Sequence, residues 1–144
     1  MNDSGGIMKY VVLGVLAAGI GIAGWRVFGP GATVTAIAPD SVNIPKLTPA
    51  ARSGKMAFDD NCAECHGENA TGTGDGPPLL HDYYNPGHHA DGAFHVAIAR
   101  GVRQHHWNFG NMPPQRQVSE EQARLIVRYV REMQVANGIV YKAH

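Results

Sequence analysis

Five consecutive residues, Cys62-Ala63-Glu64-Cys65-His66, concentrate more reactive chemistry than any other stretch of the chain, and they contain both of its cysteines. On a helical turn, positions i, i+3 and i+4 share a face. Two sulfurs and one imidazole can therefore address a single group, and C-x-x-C-H is the spacing that attaches a c-type haem. In that reading Cys62 and Cys65 form thioethers to the macrocycle and His66 is an axial ligand to iron. Two other chemistries use paired cysteines. A redox dithiol normally accompanies a βαβ pattern, which this chain lacks. Zinc would need two further ligands, and none follows at finger spacing, although there are eight histidines to draw on.

An iron held by His66 needs a sixth ligand, and Met112 is the candidate. It lies in Gly110-Asn111-Met112-Pro113-Pro114, where adjacent prolines can hold a thioether at a fixed place. His105, His106 or an open position are the alternatives. Core filling, the usual job of a methionine, suits Met56 and Met133 on helices better. Trp107 precedes this loop, and its indole N–H could bond a haem propionate or simply pack. Arg100 and Arg103 are further propionate candidates.

These residues must be positioned by a small domain. The chain has 144 residues, of which 18 are glycine and 9 proline, and its formal charge is zero. That balance gives no footing for nucleic acid. A loop-rich domain of this size is short of core, and a buried haem supplies apolar surface. Thr48-Pro49 reads as an N-cap followed by proline at the first helical position. The helix it opens runs to about Cys62–Cys65, with Gly54 and Phe58 on one face. A middle helix is predicted from near Asp91 to Gly101, with Phe94, Ala97 and Ile98 as its apolar face. A last helix starts at the capping box Ser119/Gln122. Ala123, Ile126, Val127, Val130 and Met133 form its apolar stripe, Arg124, Arg128 and Arg131 its solvated face, and Asn137-Gly138 its stop.

Ahead of the domain, Tyr10 to Trp25 carries no charge and is bounded by Lys9 and Arg26. The run is short for a hydrocarbon core of about 30 Å, but Ile7, Val27 and Phe28 extend it and the flanking basic residues can snorkel. Residues 1–28 are expected to form a single transmembrane anchor, with a cleaved signal peptide as the alternative. Residues 29–46 read as a flexible linker spanning about 20–25 Å on average, part of which could instead pack on the domain. Residues 47–144 form the haem domain.

From about Leu47 to Gln134 the chain resembles a class I cytochrome c. Gly54 and Phe58 resemble the pair where the family's first helix crosses its last, and Tyr129 stands where the last helix often has an aromatic residue. Gly76-Pro77-Pro78-Leu79 resembles the G-P-x-L after the haem motif, and Met112-Pro113 the axial methionine loop. The resemblance implies an all-α fold of three to four short helices and loops around one covalent haem c, held by Cys62, Cys65, His66 and Met112. It also implies that the Pro77 carbonyl accepts the ring N–H of His66, and that haem is attached outside the cytoplasm. The expected place is then the bacterial inner membrane, single-pass, with the haem domain in the periplasm.

The expected function is one-electron transfer without catalysis, from a quinol-oxidising complex to a terminal oxidase or a photosynthetic reaction centre. A fixed subunit of a larger respiratory or photosynthetic complex is an alternative, and so is a haem enzyme or gas sensor with an open sixth position. Charge patterning bears on partners. Between Lys55 and Arg100 there is no basic residue other than histidine, but there are Asp59, Asp60, Glu64, Glu68, Asp75, Asp82 and Asp91. This acidic half is expected to meet redox partners through complementary charge. The stretch HDYYNPGHHADG after Leu80 departs from the family pattern. With His95, His105 and His106 it makes a histidine-rich middle where copper could bind weakly.

Overall fold

The computed structural model describes residues 10, 12–14 and 41–143. The chain divides into two units, Met1–Val34 and Thr35–His144. In the first, Tyr10 and residues 12–14 have helical backbone. Most of the expected anchor and of the expected linker lies outside the described residues, within which no helix is long and apolar enough to cross a membrane.

The second unit is all-helical, with no strand among its described residues. Helix α1 spans Pro49–Asn61, α2 Ala63–His66, α3 Asp91–Arg100 and α4 Glu120–Ala136, with single 3-10 turns at Glu68–Ala70 and Asp82–Tyr84. Thr48 caps α1 by accepting from the Ala51 N–H, and Pro49 begins it. The predicted first helix is interrupted where the chemistry starts. Cys62 leaves helical geometry at φ −126°, so α2 is a separate turn carrying Cys65 and His66.

Helices α1 and α4 cross and build most of the core. Gly54 makes the crossing possible, because a Cβ there would lie 1.9 Å from the Leu125 carbonyl oxygen. Phe58 and Tyr129, both fully buried, pack beside it with ring centroids 5.3 Å apart. The Ser119/Gln122 capping box is formed in both directions. The predicted stripe on α4 is buried, and Tyr129 and Gln134 are buried with it. Residues 41–46 lie against the domain. Val42 packs on the core, and Asn43 exchanges hydrogen bonds with Asn137 at 2.8 and 2.9 Å.

One expectation about α4 is corrected. Arg124 and Arg128 are exposed, but the side chain of Arg131 retains only 14 % of its accessible surface. Its guanidinium donates to Asp91 and to the carbonyls of Tyr84 and His89. It also covers the Phe94 ring at 4.8 Å. The planar fork of five donors suits it to several acceptors at once. Arg131 thereby ties the histidine-rich insertion and the start of α3 to the core.

Candidate haem site

A cavity of about 600 Å³ opens beside α3, walled by His66, Pro77, Leu79, Phe94, Trp107 and Met112 among others. Its size lies within the range of cofactor sites, and its lining is mostly apolar. A smaller cavity of about 100 Å³ adjoins it, bordered by Cys62 and Cys65 and sharing His66, Pro77 and Met112. The six residues singled out from the sequence therefore line two neighbouring cavities. Phe94 and Ala97, the expected apolar face of α3, are half-buried because they face this space, whereas Ile98 enters the core.

His66 Nδ1 lies 2.9 Å from the Pro77 carbonyl oxygen. A carbonyl can only accept, so Nδ1 carries the proton and Nε2 keeps its lone pair. Burial lowers the pKa of the ring, and the bond to Pro77 raises it by less. The imidazole is thus neutral, with its free nitrogen available to a metal. Pro77 is placed from below: Ala70, in left-handed backbone at φ 63°, turns its carbonyl to accept from both Leu79 and Leu80. Burial pushes the Cys62 thiol up to about 11, with the neighbouring Cys65 adding to it. At neutral pH it is a thiol, not a thiolate.

Met112 is held through its backbone. It exchanges both hydrogen bonds with Val102, at 3.0 and 2.9 Å. Trp107 presents a buried indole N–H with no hydrogen-bond partner. The Tyr84 hydroxyl is pushed up by burial and pulled down by that indole, but the two do not reach hydrogen-bond geometry. A buried donor left unpaired costs about 1–3 kcal/mol, so an acceptor belongs there. A haem with carboxylate arms fits this donor, the apolar walls, the imidazole lone pair and the two thiols.

Arg103 borders the cavity and Arg100 does not. Sequence reasoning missed Tyr84 and Gln134. Gln134 is fully buried and donates to the Leu79 and Tyr84 carbonyls at 2.9 and 3.1 Å, bracing the cavity wall from α4. Its signal was a polar residue at the heptad position after Val127, on the apolar stripe. Tyr84 gave no such signal. His89, from the histidine-rich stretch after Leu80, and His105 and His106, from the loop before Met112, border the same cavity.

Residues 51–134 match the cytochrome c family model. That is more than half of the chain, so this protein belongs to the cytochrome c family. Members of the family are electron carriers with covalently attached haem c, and Cys62 and Cys65 hold the attachment spacing. No match was found among curated proteins or among solved structures.

Proposed function

We propose that this protein is a single-haem electron carrier with iron held between His66 and Met112. The observation that carries the reading is the fixed His66 tautomer: Nδ1 is committed to Pro77, which leaves the lone pair on Nε2 of a ring that lines the same cavity as Met112. Haem bound there supplies an iron that changes charge by one electron. The chain's own residues do the rest. His66 and Met112 would hold the iron from the protein and leave no position for an exchangeable ligand, and methionine would raise the reduction potential relative to a second histidine. Apolar walls disfavour the extra positive charge of the oxidised state. The buried, unpartnered Trp107 N–H would donate to a haem propionate.

Residues 1–28 serve as a membrane anchor and place the haem domain in the periplasm. There it passes electrons from a quinol-oxidising complex to a terminal oxidase or reaction centre, and tethering replaces free diffusion with high local concentration. The acidic half of the domain meets the partner. Electron-transfer rates with that partner are then expected to fall as salt rises; a flat dependence leaves tethering alone as the source of rate.

An optical spectrum of the oxidised protein tests the ligand set. The weak sulfur-to-iron absorption near the red edge should be present, and lost in Met112→Ala with haem retained. An unchanged spectrum in that variant would transfer the sixth position to a histidine, and His89, His105 and His106 stand on the same rim. Carbon monoxide binding by the reduced wild type would point instead to an open-iron enzyme or sensor.

A further inference from the structure

Above the cavity rim, two segments distant in sequence bring imidazoles together. His88, His89 and His106 each offer one ring nitrogen, and these three atoms all lie within 4.8 Å of one another. His88 Nε2 and His106 Nε2 lie 3.1 Å apart. We propose that these three histidines form a binding site for a divalent transition-metal ion of the copper(II) or zinc(II) class.

The distances suit such an ion. With metal–nitrogen bonds of about 2.0–2.1 Å, tetrahedral ligands stand roughly 3.3 Å apart. One edge is already close to that value. The others close with side-chain rotations; His88 is exposed.

The ligands are presented rather than merely near. Asn85 is buried and folds the tight turn beneath the first two. Its carbonyl accepts from the His88 and His89 N–H groups at 3.0 and 2.8 Å, and its side-chain oxygen accepts from Gly87 and His88. Arg131 then holds the His89 carbonyl from α4. On the other segment, Gln104 closes the loop that carries His106. Its N–H donates to Asn111 at 3.0 Å and its side-chain oxygen accepts from Gly110 at 2.7 Å. The His106 ring stacks on Tyr83 with centroids 4.7 Å apart.

The tautomer of His89 points the same way. Its Nδ1 lies 2.6 Å from the Tyr83 carbonyl oxygen, so Nδ1 donates and Nε2 carries the lone pair. This is the supporting bond that metal-ligating histidines usually make. The donor set also selects the ion. Three imidazoles without a carboxylate favour copper, zinc or nickel over calcium and magnesium. Three protein ligands leave a fourth position for water or for His105, whose ring centroid lies 4.3 Å from that of His106. His89 and His106 also border the haem cavity, so the site rests on the proposed ligation of iron by Met112, which leaves these imidazoles unbound by haem.

Calorimetric titration of the full-length, haem-loaded protein with zinc(II), and separately with copper(II), tests the site. One ion should bind per chain, copper more tightly. His88→Ala and His106→Ala should each weaken binding at least tenfold. His95→Ala, on α3 and outside the group, should leave it unchanged. His88→Gln repeats the first variant with little loss of bulk, and an unaltered haem spectrum confirms that each variant is folded. Absence of binding by both ions, or binding that survives the paired His88→Ala, His106→Ala substitution, would overturn the proposal.

Discussion

Val102 and Met112 form a closed pair, each donating its backbone N–H to the other's carbonyl, at 3.0 and 2.9 Å. Nine residues of loop lie between them, so this one bridge fixes where the methionine begins. It depends on Gly101, which has φ +75° and approaches so closely that a Cβ would sit 2.4 Å from the Met112 carbonyl oxygen. Gly101→Ala is expected to cost about 2 kcal/mol from left-handed strain and overpacking together. With Met112 as the proposed iron ligand, the sulfur-to-iron absorption should weaken in the same variant, because the Met112 loop must move. Denaturant unfolding and the oxidised spectrum measure the two effects separately.

The crossing of α1 and α4 makes a sharper demand. A Cβ at Gly54 would lie 1.9 Å from the Leu125 carbonyl oxygen, which is backbone and cannot swing aside. Alanine normally favours a helix over glycine by about 1 kcal/mol. Here the sign reverses, and Gly54→Ala should destabilise by about 3 kcal/mol as the helices are forced apart. Ser53→Ala, on the exposed side of the same helix, should stay within about 0.5 kcal/mol. Urea midpoints of the two variants give the comparison.

The contrast between Gly54 and Gln134 shows what the sequence carries. Gly54 was legible because it sits four residues before Phe58 on a helix announced by Thr48-Pro49, and such patterns are local. The start of α4 and the course of α3 were legible for the same reason: capping and periodicity are written in neighbouring residues. Arg131 was misjudged because its acceptors, the carbonyls of Tyr84 and His89, lie more than forty residues away. Local sequence makes any arginine on a polar helix face look solvated. The gathering of His88, His89 and His106 is equally non-local: the histidines could be counted, but their convergence depends on the Asn85 turn and the Gln104 loop.

Arg131 is therefore a strong test of how the histidine-rich insertion is held. Removing it leaves the Tyr84 and His89 carbonyls and Gln134 Oε1 without their charged donor. Arg131→Ala should cost about 3 kcal/mol, given about 1.5–3 kcal/mol for a hydrogen bond to a charged group and imperfect replacement by water. Arg131→Lys should recover less than half of that, because one ammonium cannot reach three acceptors in different directions. Amide exchange across residues 82–91 should accelerate in both variants before global unfolding, which a purely surface arginine would not produce.

Glu132 gives a pH signature at the start of α1. Burial pushes its carboxyl up, but the Thr48 hydroxyl and N–H, at 2.7 and 3.0 Å, together with Arg128, outweigh that and lower its pKa below the ordinary 4.5. The folded value lies below the unfolded one, so the folded protein binds this proton less readily than the unfolded chain does. The stabilisation is complete above about pH 4.5 and is lost as pH falls through the lowered folded value. Glu132→Gln should melt lower than wild type at pH 7, and the gap should narrow below pH 4.5 as the wild-type carboxyl protonates. Thr48→Ala should cost about 1–2 kcal/mol at pH 7, combining a lost N-cap with a lost charge-assisted bond. Adding Glu132→Gln to it should cost less than in wild type, because the two residues share one interaction. A gap between wild type and Glu132→Gln that stayed constant from pH 7 to pH 3 would show that the carboxylate's charge contributes nothing there.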